Sequence, residues 1–190
     1  MNQSISYSIP HTEPSAALDV THSIASILDT FSYQKIVCVC IGTDRSTGDS
    51  LGPLVGTFLS KQESDHFIVL GTLDDPVHAL NLPEKMTYLQ RLYPNALVIA
   101  VDACLGKLNS VGSIQVGVGP IKPGAGVNKQ LPEVGQIHVT GIVNVAGFME
   151  YMVLQNTRLS TVMRMAQIIS DSILNAINMQ STRDVWTHEI

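Results

Sequence analysis

Several features of secreted, membrane and nucleic-acid-binding proteins are missing from this sequence of 190 residues. It has only three cysteines, an odd number that makes no disulfide framework and suits a reducing compartment. Charged residues account for 14%, the formal net charge is -5, and the eleven lysines and arginines form no basic patch. No apolar run approaches the roughly 18 residues of a membrane helix. We therefore expect neither nucleic acid nor a membrane as a partner.

The first residues also lack targeting features. The opening MNQSISYSIPHTEP has neither the basic region nor the apolar stretch of a secretion signal, so we expect a cytoplasmic protein. We expect residues 1–13 to form a flexible tail. Residues 14–190 are long enough to bury one full hydrophobic core, and we expect them to form a single α/β domain.

Apolar residues make up 45% of the sequence and fall into short runs separated by helical patterns. Three runs predict buried strands: IVCVCIG from Ile36, FIVLGT from Phe67 and ALVIAVDA from Ala96. Helical patterns stand before the first run and after each of the first two. Strands that alternate with helices predict a three-layer α/β/α sandwich with a mostly parallel sheet.

The second half of the chain is less regular. SIQVGVG from Ser113 alternates and predicts an edge or antiparallel strand, and QIHV before Thr140 predicts a short strand. Between them, IKPGAGVNKQLPEVG is too rich in glycine and proline for regular structure and predicts a long loop. Thr140 is a candidate helix cap, and two helices are expected to fill the chain to about Gln180. Cys38 and Cys40 lie in the first predicted strand, where buried thiols pack as small apolar side chains.

Three side chains fall where a parallel sheet places its ligands, just beyond the carboxyl ends of the strands. Asp49 lies in the loop after the first predicted strand, Asp102 ends the third, and His138 lies near the end of a later one. Singly, each aspartate has a structural explanation, as a cap or as a partner of a helix dipole. As a pair, two carboxylates at close range separate into an acid and a base that can activate water. With His138 they would also form an oxygen and nitrogen site for a divalent metal.

A short match to another enzyme class provides an alternative. Gly-Asp-Ser-Leu at residues 48–51 matches the opening block of the GDSL esterases, with Ser50 as the nucleophile. Asp184 and His188 would then complete a catalytic triad. The spacing of these two residues differs by one from the esterase pattern, and no Gly-x-Asn-Asp block follows. The esterase is therefore the weaker interpretation.

Three longer stretches resemble the spore germination proteases. GTDRSTGDSLGP at residues 42–53 resembles their first site loop, VIAVDA at 98–103 resembles the strand of their second catalytic aspartate, and IQVGVGPIKPGAGVNK at 114–129 is similar to their Pro-Gly-x-Gly-Val segment. The stretches occur in the order of that family and span roughly residues 36–145. The chain is much shorter than a germination protease, and it is similar to the YyaC family of spore proteins.

The resemblance implies a fold, a site and a setting. The fold is that of the germination proteases and hydrogenase maturation proteases, and the implied catalytic residues are Asp49 and Asp102. The expected substrate-binding residues lie around Asp49 and in the glycine-rich loop: Thr47, Ser50, Pro123, Gly124, Gly126, Asn128 and Lys129. Hydrogenase maturation proteases grip nickel with two acids and a histidine. Asp49, Asp102 and His138 are the corresponding ligand set here, for nickel or zinc, although no cofactor is required.

The expected function is that of a sporulation-associated peptidase of aspartic type. Its partner would be a protein or peptide substrate, with small spore proteins as candidates, and the forespore or spore interior would be its location. The chain could also form a homo-oligomer. The alternative from another class is a non-catalytic spore protein that retains the protease fold for binding or structure.

Overall fold

The structure is a computed structural model that describes residues 6–62, 64–123 and 131–187, with side chains described up to residue 180. The strands are β1 (Ser6–Pro10), β2 (Lys35–Cys40), β3 (Phe67–Leu70), β4 (Ala96–Gly106), β5 (Ser113–Val118) and β6 (Ile137–Val145). The helices are α1 (Ala16–Leu28), α2 (Leu51–Ser60), α3 (Leu82–Leu92), α4 (Glu150–Gln155) and α5 (Leu159–Thr187). Two short 3-10 turns occupy Gly48–Ser50 and Leu108–Ser110.

The strands form one mixed sheet in the order β1-β5-β6-β4-β2-β3. The four strands from β6 to β3 are parallel to one another, whereas β5 is antiparallel to both of its neighbours, β1 and β6. The predicted α/β class with a mostly parallel sheet is therefore confirmed. The prediction of an antiparallel strand from Ser113 is also correct, although this strand lies one position inside the edge.

The alternation of side chains along β2 divides the core between the two faces of the sheet. Cys38 and Cys40 face a large cluster that contains apolar residues of α1, α2 and α5. Val37 and Val39 face a smaller cluster that contains Leu82 and Leu89 of α3 and the buried Val134. Both faces are covered by helices, which explains why β2 and β4 consist of continuous apolar runs.

The two central strands end at different heights. The last residue of β2, Cys40, pairs with Val101, and Asp102 is therefore the first residue of β4 beyond this pairing. β4 does not end there, as the sequence predicted, but continues to Gly106 with β6 as its partner and a shift of register after Cys104. The sheet is thus stepped at Asp102, and one side of this carboxylate is left without a neighbouring strand.

Two segments differ from their predictions. Within the expected N-terminal tail, Ser6–Pro10 form strand β1, which pairs with β5 because its backbone completes the edge of the sheet. Thr140 does not cap a helix but lies inside β6, which extends well beyond the short strand expected there. Strand β6 continues past Thr140 because β4 continues beside β6 as far as Gly106.

The long helix α5 closes the face that carries the larger cluster. Ser172 donates its hydroxyl to the carbonyl of Ala17 in α1 at 2.9 Å, and Gln180 donates its side-chain amide to the carbonyl of Ala25 at 3.2 Å. The first and last helices therefore pack side by side. Within the described ranges, no helix combines the length and the apolar character that crossing a membrane requires.

Candidate active site

The loop after β2 returns to the end of its own strand. Gly42, at φ 142°, donates its N–H to the carbonyl of Val77 at 2.8 Å, and Thr43 donates to the carbonyl of Asp49 at 3.1 Å. A Cβ at position 42 would lie 2.0 Å from the backbone oxygen of Asp49, so only glycine permits this approach. The loop is closed by these contacts, and Asp49 is held over the end of the parallel sheet.

Asp49 itself lies in the 3-10 turn Gly48–Ser50, which we call the Asp49 turn and which leads directly into α2. A Cβ at Gly52 would lie 2.1 Å from the carbonyl oxygen of Ile41, so α2 begins in direct contact with the chain that leaves β2. Ser50 is 6% exposed and donates its hydroxyl to the carbonyl of Thr47 at 2.7 Å. This hydroxyl is engaged in holding the turn, which disfavours Ser50 as the nucleophile of an esterase.

The second carboxylate is carried by strand β4. Thr140 of β6 pairs with Asp102, and both side chains lie on the same face of the sheet as that of Cys104, since successive strand residues alternate. The side chains of Thr140 and Cys104 are hydrogen-bonded to each other. The N–H of Ala103 donates to Oδ1 of Asp102 at 2.8 Å. Asp102 is therefore fixed by a rigid strand, whereas Asp49 is fixed by a turn.

The electrostatics show that the two carboxyl groups interact. Burial raises the pKa of Asp102 well above its usual value, and the nearby negative charge of Asp49 raises it further. The N–H of Ala103 lowers this pKa in part, because it donates to the charged form. Burial also raises the pKa of Asp49. The structure thus places the two predicted catalytic aspartates within electrostatic reach of each other, in surroundings that disfavour two negative charges.

Cys104 is a neighbour of the pair that the sequence left unassigned. Burial is the main cause that raises the pKa of its thiol to about 11, and the charge of Asp102 adds to it, whereas the hydrogen bond from Thr140 lowers it. At neutral pH this thiol stays protonated, so it lacks the reactivity of a thiolate nucleophile. Thr140 was missed as a site residue because the pairing of β4 with β6, which brings it beside Asp102, leaves no mark in the sequence.

His138 does not join the two aspartates. It pairs with Ala100, two residues before Asp102 along β4, and its Nδ1 lies 2.9 Å from the carbonyl oxygen of Gly119. Among the described residues, no three side chains of His, Cys, Asp or Glu form a group that could hold a metal ion. The ligand set predicted from Asp49, Asp102 and His138 is therefore not assembled, and these residues do not fit a three-ligand nickel or zinc site.

The remaining predicted residues lie in two places. Thr47 immediately precedes the Asp49 turn, so it accompanies Asp49 as expected. Pro123 is buried where the chain enters the glycine-rich loop, whose base is closed by two hydrogen bonds between Ile121 and Val134 at 2.9 and 3.0 Å. Gly124, Gly126, Asn128 and Lys129 lie outside the described residues, as do His188 and the side chain of Asp184.

The short helix α4 packs against the Asp49 turn. A Cβ at Gly48 would lie 2.8 Å from Cδ2 of Leu154 and 3.0 Å from the hydroxyl of Thr157, so the turn and the helix are in close contact. Asn144, near the end of β6, donates its side-chain amide to the carbonyl of Val153 and to the hydroxyl of Thr157, both at 3.2 Å. This contact could not be predicted from the sequence, because nothing in the periodicity of α4 indicates that the helix packs against Gly48.

A solved structure of known class shares this arrangement of sheet and helices. The chain resembles the crystal structure of a [NiFe] hydrogenase maturation protease, HycI, from Thermococcus kodakarensis KOD1, with a TM-score of 0.55. The match covers 80% of this chain and 99% of that one, at 16% sequence identity. A likeness at this identity defines the fold, which is that of the maturation proteases, as the sequence predicted.

The family is defined by sequence. A family profile described as a protein of unknown function, DUF1256, matches residues 8–172, and the chain belongs to this family. It is 56% identical over 165 residues to the uncharacterized protein YyaC of Bacillus subtilis strain 168, a match that covers 87% of this chain and 80% of that protein. The predicted resemblance to the YyaC proteins is confirmed.

Proposed function

We propose that this protein is a peptidase that hydrolyses a protein or peptide substrate with Asp49 and Asp102. The single observation that carries the proposal is the electrostatic coupling of these two carboxyl groups at the stepped end of a parallel sheet. Ligands of such sheets bind at this end. Two carboxyl groups whose environments separate their pKa values supply an acid and a base at the same pH.

We assign the roles from the burial of each carboxyl group. Asp102 has the more strongly raised pKa, so it carries the proton and acts as the acid. Asp49 acts as the base and takes a proton from a water molecule, whose oxygen bonds to the carbonyl carbon of the substrate. The carbon–nitrogen bond then breaks, and Asp102 gives its proton to the leaving amine. Proton exchange with solvent restores the starting state of the pair.

The biological setting is proposed from the sequence resemblance. The likeness of residues 42–53, 98–103 and 114–129 to the spore germination proteases favours a role in sporulation, in the forespore or spore interior. Small spore proteins are the candidate substrates. The HycI structure is described as a maturation protease, which supports peptide hydrolysis as the reaction class. The proposed mechanism uses the two carboxyl groups alone, and among the described residues no three side chains of His, Cys, Asp or Glu form a group that could hold a metal ion.

The test is a cleavage assay with purified full-length protein and small spore proteins, read by mass spectrometry of the products. We expect new peptide ends that appear with the wild type and not with Asp49→Asn. The asparagine side chain is nearly the same size as aspartate but accepts no proton at neutral pH. A chelator added to a parallel sample should leave the cleavage unchanged. If the wild type cleaves neither these proteins nor any other polypeptide, the non-catalytic binding protein becomes the better account.

A further inference from the structure

Large apolar side chains are exposed in one short segment after β6. Phe148 is 91% exposed and Tyr151 is 66% exposed, although aromatic residues are scarce in this chain. We call the set the apolar face, and it consists of Phe148, Met149, Tyr151, Met152, Leu159 and Met163. Its members lie at or just before α4 and in the first turns of α5, and exposed apolar side chains that cluster are typical of an interaction surface.

Part of the apolar face lies on the helix that borders the candidate active site. Tyr151 and Met152 belong to α4, which is in contact with the Asp49 turn through Gly48 and Leu154. The hydrogen bonds of Asn144 fix the same helix to the end of β6. A polypeptide bound along α4 would therefore have part of its backbone beside Asp49.

The composition of the apolar face selects an apolar partner. Its six members carry no charge, and three of them are methionines, whose flexible side chains adapt to partners of different sequence. No residue of α4 is fully buried, and only its inner side, with Leu154, packs against the larger cluster, so its outer side is available for a surface role. Met149 holds a left-handed backbone at φ 60° and ψ 47°, and such strained residues concentrate at functional sites.

We propose that the apolar face binds an extended, apolar stretch of the substrate polypeptide next to the bond that is cleaved. The substrate class would then be proteins that are unfolded or locally unfolded, since folded proteins bury such stretches. The proposal rests on the proposed peptidase function for its cleavage step, but the binding step can be measured without cleavage.

The experiment measures binding to full-length protein carrying Asp49→Asn, so that the probe is not consumed. The probe is fluorescent, reduced and carboxymethylated α-lactalbumin, a polypeptide held unfolded, and the readout is fluorescence anisotropy. The test variant adds Phe148→Ser and Tyr151→Ser. The matched control adds Leu80→Ser and Tyr88→Ser, which are 76% and 47% exposed and lie beside or within α3. Thermal melts of both variants verify that each is folded.

We expect at least tenfold weaker binding for the test variant and less than a twofold change for the control. Equal losses in both variants, or no binding by the Asp49→Asn protein, would overturn the proposal. Sedimentation provides the other decisive outcome: a wild-type dimer that dissociates in the test variant would assign the face to contact between copies of this chain. Failure of the peptidase function is distinguishable, because it appears as absent cleavage by the wild type whatever the binding result.

Discussion

Strands β2 and β4 are neighbours with the same buried, apolar composition, yet they deliver their aspartates in different ways. β2 stops at Cys40, and its chain returns through a closed loop to place Asp49 on a turn. β4 continues past Val101 and carries Asp102 within the strand itself. The two carboxyl groups come within electrostatic reach because one strand stops where the other continues.

This difference explains the electrostatic asymmetry of the pair. Asp102 is fixed within a strand, where burial and the charge of Asp49 together raise its pKa well above the usual value, whereas burial alone raises that of Asp49. A carboxylate on a turn keeps more access to solvent and can receive a proton from a water molecule. The strand therefore supplies the acid, and the turn supplies the base.

The largest expected effect separates the carboxylates from Ser50. Asp49→Asn and Asp102→Asn should each lower peptide hydrolysis by about 10³-fold or more, because each removes a group that transfers a proton. Ser50→Ala should retain most of the activity, since its hydroxyl only donates to the carbonyl of Thr47. Initial rates of the three variants provide the measurement, and circular dichroism verifies that each is folded. Labelling of Ser50 by a fluorophosphonate would instead support the esterase.

The next prediction tests the close contact between the start of α2, at Gly52, and the chain that leaves β2. Gly52→Ala places a Cβ about 2.1 Å from the carbonyl oxygen of Ile41, and the three nearest atoms all belong to the backbone of that residue, which cannot rotate away. We expect a loss of about 3 kcal/mol in the free energy of unfolding, the upper range for overpacking. Gly106→Ala is the matched control, because its Cβ would meet mainly side-chain atoms of Ile142 and Ser110. The expected cost of Gly106→Ala is about 1 kcal/mol. Urea unfolding of both variants measures the two free energies of unfolding and tests the difference.

The effect of burying Asp102 within β4 can be tested by measuring the free energy of unfolding. Because the folded state raises the pKa of Asp102, it binds the proton more tightly than the unfolded state does, and stability falls as pH rises above the usual value of 3.8. Asp102→Asn removes this penalty and should raise the free energy of unfolding at pH 7 by about 1–2 kcal/mol. The corresponding rise in Tm is about 2–8 °C.

Two controls sharpen that result. The gain from Asp102→Asn should vanish below the usual carboxyl pKa of 3.8, where both states of the wild type are protonated. Asp49→Asn should give a smaller gain than Asp102→Asn at neutral pH, in line with the asymmetry of the pair. Equal gains at pH 7, measured by thermal melts, would show that the strand and the turn impose the same penalty.

The smallest expected effect concerns His138. Since its Nδ1 contacts the carbonyl of Gly119 and no three-ligand group forms among the described side chains, His138→Ala should leave the binding of nickel or zinc unchanged. Isothermal calorimetry of the wild type and the variant provides the comparison. Heat that is present in the wild type and lost in the variant would make His138 a ligand after all.

The sequence predicted those parts of the molecule that depend on local pattern. The apolar runs from Ile36, Phe67 and Ala96 become parallel strands, and the order of strands and helices gives the confirmed class. The positions of Asp49 and Asp102 after or within such runs were enough to select the pair. The end of β4 was misplaced because Asp102 interrupts the apolar run, while the backbone pairing with β6 continues.

The errors concern contacts between distant parts of the chain. The polar sequence of β1 resembles a tail, and it forms a strand only because β5 offers it a free edge. Thr140 resembles a helix cap, and only the register of β6 places it opposite Asp102. His138 and Asp102 do lie on one face, but their offset along neighbouring strands keeps the histidine with Gly119. Register of this kind is not encoded in any short stretch of sequence.

The pairing of β1 with β5, together with the packing of α1 on α5, has a consequence for synthesis. His11 hydrogen-bonds to Gly112, which is 101 positions later, and Ala17 accepts from Ser172, which is 155 positions later. At about 5–20 residues per second, the first strand waits roughly 5–20 s on the ribosome for its partner, and the first helix waits roughly 8–30 s. The apolar side of α1 stays uncovered for that interval, so we expect the nascent chain to depend on a holding chaperone until α5 emerges.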